Sequence, residues 1–477
     1  MEASTIFRCR HLWTPEGWRS PAWVRACESG TILEIRDEEP GGASPIPLEG
    51  WVLPGMPDLH SHAFQRGMLG RGQRRGSGED DFWTWREAMY ACAAACRPED
   101  LRDLAAWLQV ELLEGGFTRV AEFHYLHRPG GADPIESASA LFEAAGLSGI
   151  GYLHLPVLYL HGGLDGDGEP RPLGARQEPF SLAPEARDPV EVFLRHLESL
   201  EARFDSEGPG PALGSAAHSL RAVTPDEIER LRAGAKEVLG GDRPFHLHAA
   251  EQPAEVEAVR RAYGLRPLEL CFERFEVGAS WCFVHATHLS GREAALLAGS
   301  GAVAGLCPTT EADLGDGFFP IENHLEAGGV LGVGTDSQVG RDVAGECRLL
   351  EWGARLRTGK RCLASSPEEA REGRPGACAG WRLFAEALRG GARALGLPGV
   401  SPEPGAPADF VVLDPENPLL QGIPEEELLA AWIFGGGGGI REVWVGGRRR
   451  VADGRHRDRD SLFAKFRACL ERLRSRI

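Results

Sequence analysis

The chain has 477 residues, 42% of them hydrophobic and 26% charged, which fits a large folded barrel with an attachment and excludes a fibrous or disordered polypeptide. Its formal net charge of −18 argues against a nucleic-acid binder, which would need a basic face. No apolar run is long enough to span a bilayer, and the opening MEASTIFRCRHLWTPEGWRS lacks an apolar core of signal-peptide length, so a cytoplasmic protein without membrane attachment is expected. The 11 cysteines scatter from Cys9 to Cys469 with no CxxC pair, the pattern of reduced thiols rather than of a disulfide framework.

In chain order, TIFRCRHLW and GWRSPAWVRACESGTILEIRDE read as short strands with turns. The same texture returns late, in ADFVVLDPENP and IREVWVGGRRRVADGRH. These two ends are expected to form one small β-sandwich domain, residues 1–53 with 395–460, followed by a C-terminal helix over 461–477. Between them lie eight apolar runs: WVLPGMPDLH, FTRVAEFHY, SGIGYLHLPVLYL, PALGSAAHSL, PFHLHAAE, WCFVHATHL, AVAGLCPTTE and VLGVGTDSQ. Helical stretches alternate with them, among them PEDLRDLAAWLQVELLEGG, PVEVFLRHLESLEARF, TPDEIERLRAGAKEVLGG and GREAALLAGSG. Short apolar strands alternating with amphipathic helices imply a parallel sheet, and eight such units over residues 54–394 predict an α/β fold, a TIM-like (β/α)₈ barrel. A doubly wound open sheet is the alternative, but no GxGxxG follows an early strand. The glycine run Gly435–Gly439 is not followed by a lysine-serine or lysine-threonine pair, so it reads as a flexible turn between late strands rather than a phosphate-cradling loop.

Polar residues at the C-terminal ends of barrel strands carry the information about chemistry. The first run ends in His60-Ser61-His62, whose imidazoles, two residues apart, share a strand face. The fifth offers His246, His248 and Glu251, the sixth His285 and His288, and the eighth Asp336. Three imidazoles and a carboxylate with an open position suit a catalytic divalent metal. His60, His62, His248 and Asp336 are the expected ligands, with His285 close by. His246 lies deeper in its strand and reads as packing, His288 as a loop or cap residue, and His124, His127, His154 and His161 mostly as hydrogen-bonded structural histidines. The only lysines are Lys236, Lys360 and Lys465. None lies at a barrel strand end, so a pair of metals bridged by a modified lysine is not expected and a single ion is.

This constellation resembles the amidohydrolase superfamily, in its cytosine-deaminase-like mononuclear branch, over nearly the whole chain. The resemblance implies zinc as the usual ion, Glu251 of His248-Ala-Ala-Glu251 as proton shuttle, and His285 as the residue that orients the attacking water and the tetrahedral centre. The separated phrases MPDLHSHAFQRGMLG, FWTWREAMY, VAEFHYLH, AAHSLRAVTP, FHLHAAEQPAEV and LCPTTEADLGDGFFP are similar to those of members that hydrolyse N-formimidoyl-L-glutamate in histidine degradation. The glycine run at Gly435 departs from the more polar turn expected there.

The implied reaction is hydrolysis of a C=N bond, giving N-formyl-L-glutamate and ammonia. Water activated by the metal attacks the formimidoyl carbon. Asp336 accepts its proton, and Glu251 protonates first the imine nitrogen and then the departing amine. A dicarboxylate substrate needs cations and donors. The resemblance puts Gln65, Arg86, Tyr125, His218 and Arg221 around it, Arg86 in an aromatic-rich loop with Phe82, Trp83 and Trp85. A homodimer is the corresponding expectation for assembly. The alternatives are another deaminase of this scaffold, acting on guanine, cytosine or an adenosine-type base, and a barrel that binds a ligand without turning it over. Paired arginines count against a base-binding pocket, and Glu251 with His285 count against a mere binder.

Overall fold

The computed structural model describes residues 4–41, 44–73, 82–204, 210–399 and 402–477. All eight expected barrel strands form: Met56–Ser61, Phe117–His124, Gly151–Leu158, Ser215–Ser219, Phe245–Ala249, Trp281–His285, Val303–Leu306 and Val330–Val333. Each pairs in parallel with the next in sequence order. Nearly every residue in them is buried, as strands covered on both faces by interior side chains and outer helices must be.

The first and eighth strands meet only at the mouth. Ser61 and Asp336 form an isolated parallel bridge, and the His60 carbonyl accepts from Thr335 N–H at 3.1 Å and Asp336 N–H at 2.9 Å. Gly334 permits this approach, since a Cβ there would lie 2.8 Å from His60 N and 2.9 Å from His60 Cβ.

The expected helices lie outside the barrel, at Pro98–Glu114, Pro189–Glu201, Pro225–Val238 and Gly291–Ser300. Their starts are written locally. Thr224 caps the third of them, accepting from Glu227 N–H while the Glu227 carboxylate accepts from Thr224 N–H, and Pro225 occupies the first turn, a reciprocal cap with proline where no amide donor is needed.

The run WVLPGMPDLH divides between two sheets. Ile46–Pro54 belongs to the sheet of the chain ends and Met56–Ser61 to the barrel. Gly55 is the joint, where a Cβ would come within 2.2 Å of Thr118 Oγ1, so only glycine fits between the two strands and the neighbouring one.

The ends supply one nine-stranded sheet, in which Ile46–Pro54 pairs in parallel with Ser4–Thr14 and antiparallel with Phe410–Leu413. The layers of the small β domain are one continuous sheet curled on itself: Ile32 N–H donates to Ala406 C=O at 2.9 Å and Ala408 N–H to Gly30 C=O at 2.8 Å. Phe7, Leu48, Phe410 and Trp444 fill the curl.

The last helix, Arg459–Arg476, packs on Pro98–Glu114. Phe466 stacks on Trp107 at 5.6 Å, and Arg472 reaches the buried Asp100 at 2.9 Å. Gly435–Gly439 links the short helix Leu428–Phe434 to the strand Ile440–Val445. Four successive positive φ angles, from Gly436 to Gly439, explain its composition: side-chain-bearing residues rarely adopt that region.

Candidate active site

The strand ends bring the predicted residues to one point. His60 Nε2 lies 3.2 Å from His62 Nε2 and 3.0 Å from His248 Nε2. Asp336 Oδ1 stands 3.3 Å from His62 Nε2 and 3.7 Å from His60 Nε2. On the other side of Asp336, its Oδ2 is 3.8 Å from His285 Nε2, which lies 3.6 Å from Glu251 Oε1. All six residues are buried.

Backbone conformation aims them. Of the seven described non-glycine residues with positive φ, five sit at these strand ends: Ala250, His285, Ala286, Asp336 and Gln338. Such conformations persist where the surroundings over-determine them, as at functional sites.

Buried acids absent from the sequence reading hold that geometry. Asp58 accepts from His60 N–H and Thr335 N–H, at 3.2 and 3.1 Å. Glu122 accepts from Ser61 Oγ and Ala63 N–H, both at 2.8 Å. The Glu255 carboxylate accepts from Ala250 N–H at 3.2 Å and Glu251 N–H at 3.0 Å. Glu311 accepts from Cys307 N–H at 2.9 Å and faces His285 Nδ1 at 3.4 Å.

The donor set fits a small divalent ion. His62 Nδ1 donates to Phe123 C=O at 3.0 Å, which leaves a lone pair on Nε2, where three imidazole nitrogens crowd together. Two nitrogens bound at about 2.05 Å with tetrahedral geometry are roughly 3.3 Å apart, close to the spacing here. Burial first, and the neighbouring imidazoles next, hold His60 and His248 well below the ordinary histidine pKa, so they stay neutral, the form that ligates.

His285 differs. Burial would lower it, but Glu251, Glu311 and Asp336 outweigh burial and raise it well above the ordinary value. The charged form, which these carboxylates favour, can donate a hydrogen bond. Cys307, near His285 and Asp336, is raised well above its ordinary value by burial and then by Asp336. The three lysines are exposed, and none stands at the C-terminal end of a barrel strand.

The five residues expected around a substrate all line the cavity above these groups. Gln65 Nε2 donates to Tyr125 Oη at 3.0 Å. His218, on the fourth strand, packs against His248 with ring centroids 5.0 Å apart. Burial lowers its pKa, with Arg221 and Arg86, which line the same cavity, adding to the effect. Arg221 Nε is buried without a hydrogen-bond partner, and Arg86 donates to Tyr90 Oη at 2.7 Å.

Arg86 and Trp85 lie not in a loop but on the helix Phe82–Ala95. Clustered aromatics suggested a cover, whereas the glycine- and proline-free stretch WREAMYACAAA is a helix former. Sequence reasoning missed Tyr159, Phe180, Met89 and Leu314, which also line the cavity. Tyr159 could have been found, because it ends the third apolar run at the catalytic end of the barrel.

The histidines read as structural stand apart from the ligand cluster. His246 Nε2 donates to Ala394 C=O at 2.9 Å, His288 Nε2 to Asp316 C=O at 2.7 Å, and His127 Nε2 to Val157 C=O at 2.8 Å. His161 faces Glu227 at 3.0 Å, and His154 Nδ1 meets Tyr152 Oη at 2.9 Å. His124 packs between His127 and His154.

Residues 51–450 match the model of the amidohydrolase family. Formimidoylglutamate deiminase from Pseudomonas aeruginosa is 43% identical over 459 residues, 95% of this chain and 96% of that protein. A 5-methylthioadenosine/S-adenosylhomocysteine deaminase from Natronomonas pharaonis is 26% identical over 92% of this chain and 90% of its own length. Among solved structures, an amidohydrolase from Brucella melitensis superposes with a TM-score of 0.87 at 38% identity, covering 98% of this chain and 99% of that one. An adenosine deaminase from Xanthomonas campestris with bound zinc shares the fold, with a TM-score of 0.76 at 21% identity over 99% of this chain and 98% of its own.

Proposed function

The chain belongs to the amidohydrolase family, and from that premise we propose that it hydrolyses N-formimidoyl-L-glutamate to N-formyl-L-glutamate and ammonia. The observation that carries this reading is a single cavity in which Asp336, Glu251 and His285 form the reacting end and Arg86 and Arg221 the wall. A planar guanidinium fork matches a carboxylate, and the substrate has two. A nucleobase would call instead for stacking rings and amides at those positions.

The enzyme is a metal-dependent hydrolase of C–N bonds acting on a small molecule. We assign one zinc ion per chain to His60, His62, His248 and Asp336. The absence of a lysine from the lining of the cavity supports one ion rather than two. When bound, the ion supplies a Lewis acid that makes a water acidic near neutral pH. Asp336 would take the first proton of that water and pass it to Glu251. Glu251 delivers that proton to the formimidoyl nitrogen and then carries the proton of the newly formed hydroxyl to the departing amine, so that both protons gained by the ammonia come from the water. The His285 imidazolium donates to the oxygen on which negative charge develops, and Arg86, Arg221 and the Gln65–Tyr125 pair hold the carboxylates so that the formimidoyl carbon faces the reacting end. Three buried carboxylates around one imidazole favour its charged form, which is the form this role requires.

The proposal extends to the surroundings. Residues 1–53 with 395–460 act as the small β domain, 54–394 as the barrel and 461–477 as a terminal helix. Eleven free thiols support a cytoplasmic location. A homodimer is supported by the exposed Trp352 and Leu356, one turn apart on the helix Val343–Thr358. The direct test is ammonia release from N-formimidoyl-L-glutamate by purified protein of known metal content, beside guanine, cytosine and N-carbamoyl-L-glutamate. Release from the first alone is expected; a metal-loaded protein that releases ammonia only from a nucleobase overturns the substrate.

A further inference from the structure

A second cavity, of about 730 Å³, opens at the opposite end of the barrel, where the second, third and fourth strands begin and the small sheet packs against them. Five arginines line it, Arg119, Arg203, Arg448, Arg450 and Arg457, with Glu28 the one acidic residue among the lining. Two of the five are already paired: Arg119 with Asp409 at 2.7 Å and Arg457 with Asp458 at 2.9 Å. Among the described residues, Arg448 and Arg450 have no carboxylate within ion-pairing distance, and Arg450 Nε is buried without a hydrogen-bond partner. The Arg203 guanidinium rests over the Phe204 ring at 5.8 Å.

The backbone makes room for this gathering. A Cβ on Gly149 would fall 2.3 Å from Arg450 Cζ, and one on Gly151 would fall 2.6 Å from Arg119 Cγ. Gly149 also ends the helix Pro134–Ser148, and the partial negative charge of a helix C-terminus attracts a cation. That attraction amounts to about half a charge and offsets Arg450 in part; with Arg119 and Arg457 paired, Arg448 and Arg203 have no carboxylate at ion-pairing distance among the described residues. Burial, with Arg457 and Arg448 adding to it, pushes Arg450 below the ordinary arginine value. Arg448 and Arg203 are exposed and Arg450 half-buried, so their guanidiniums face one cleft from its rim and its wall, an arrangement whose like-charge repulsion an anion relieves. In a chain of net charge −18, general attraction to anions does not account for them.

We propose that this cavity binds a small phosphate-bearing anion, gripped by Arg448, Arg450 and Arg203. Guanidinium forks bind phosphate oxygens in pairs, and a phosphate offers enough acceptors to engage more than one fork at once. The half-buried Tyr152 in the wall gives an organic remainder an apolar surface.

The test is calorimetric titration of the metal-loaded full chain with inorganic phosphate, in parallel with glutarate as a dicarboxylate. Phosphate should bind the wild type, and Arg450→Met should weaken that binding at least tenfold while kcat/KM on the substrate stays within twofold. Should Arg450→Met fail to fold, the exposed Arg448→Met carries the same expectation. Phosphate binding that is absent from the wild type, or unchanged in the variant, overturns the site. Glutarate binding as tightly as phosphate, and lost in the same variant, overturns the ligand class.

Discussion

Asp336 meets His60 at two points: its backbone N–H donates to the His60 carbonyl at 2.9 Å, and its Oδ1 faces His60 Nε2 across 3.7 Å. The hydrogen bond that closes the barrel and the pair of side chains that face one another at the proposed ion belong to the same two residues. Damage to the site should therefore reach the fold, and removal of the ion should loosen the mouth.

Metal removal is the first consequence. Chelation should abolish turnover and lower Tm, since an ion that binds only the folded chain stabilises it by about 4 kcal/mol at a thousandfold excess over its Kd. His62→Ala should reduce metal content from about one per chain towards zero. Elemental analysis and thermal scans on the same samples check both, and a His62→Ala protein that keeps its full metal content would remove His62 from the ligand set.

Glu251→Gln should leave metal content and substrate binding close to normal while kcat falls by about 10²–10⁴-fold. The amide fills the same volume and cannot carry a proton. Steady-state kinetics with a binding titration separate the two effects, and a near-normal kcat would show that protons travel by another route.

For Arg221→Met, the loss should be selective. Use of N-formimidoyl-L-glutamate should fall at least tenfold more than use of an uncharged formamidine, because only the former presents carboxylates to the guanidinium. Equal losses on both substrates would assign Arg221 to packing.

His127 links pH to stability away from the metal. Burial, followed by His196, pushes it down to about 3, whereas an unfolded chain protonates it near 6.5. Between those values the unfolded state binds more protons, so stability is full above pH 6.5 and is lost as pH falls towards 3, by about 1.4 kcal/mol per pH unit. His127→Gln, whose amide can still donate to Val157 C=O, should flatten the acid limb of denaturant-measured stability. An unchanged slope would mean that His127 takes up no proton on unfolding.

Much of the architecture was legible because a parallel barrel buries its strands on both faces, so each strand is a short apolar run, and because its chemistry sits at strand ends. His60, His62, His248, His285 and Asp336 could thus be picked out as candidates by position alone. Asp58, Glu122, Glu255 and Glu311 could not. Each is an acid in a charged sequence, and only the folded backbone reveals that its partners are the amides of the turns that aim the site. Arg86 was found but misplaced, because clustered aromatics outweighed a helical composition. The joint at Gly55 was hidden for the opposite reason: an apolar run carries no mark where one sheet hands over to another.

The seam between the first and last barrel strands also sets an order of events during synthesis. His60 and His62 leave the ribosome early, yet the residue that locks His60 in place lies 276 positions later, at Asp336. Under the proposed assignment a nascent chain holds His60 and His62 through 186 further residues before the third ligand, His248, is made, and through 88 more before Asp336. The set of four is complete only when the eighth strand has been made and has found the first, so full ligation would report a finished barrel rather than nucleate one.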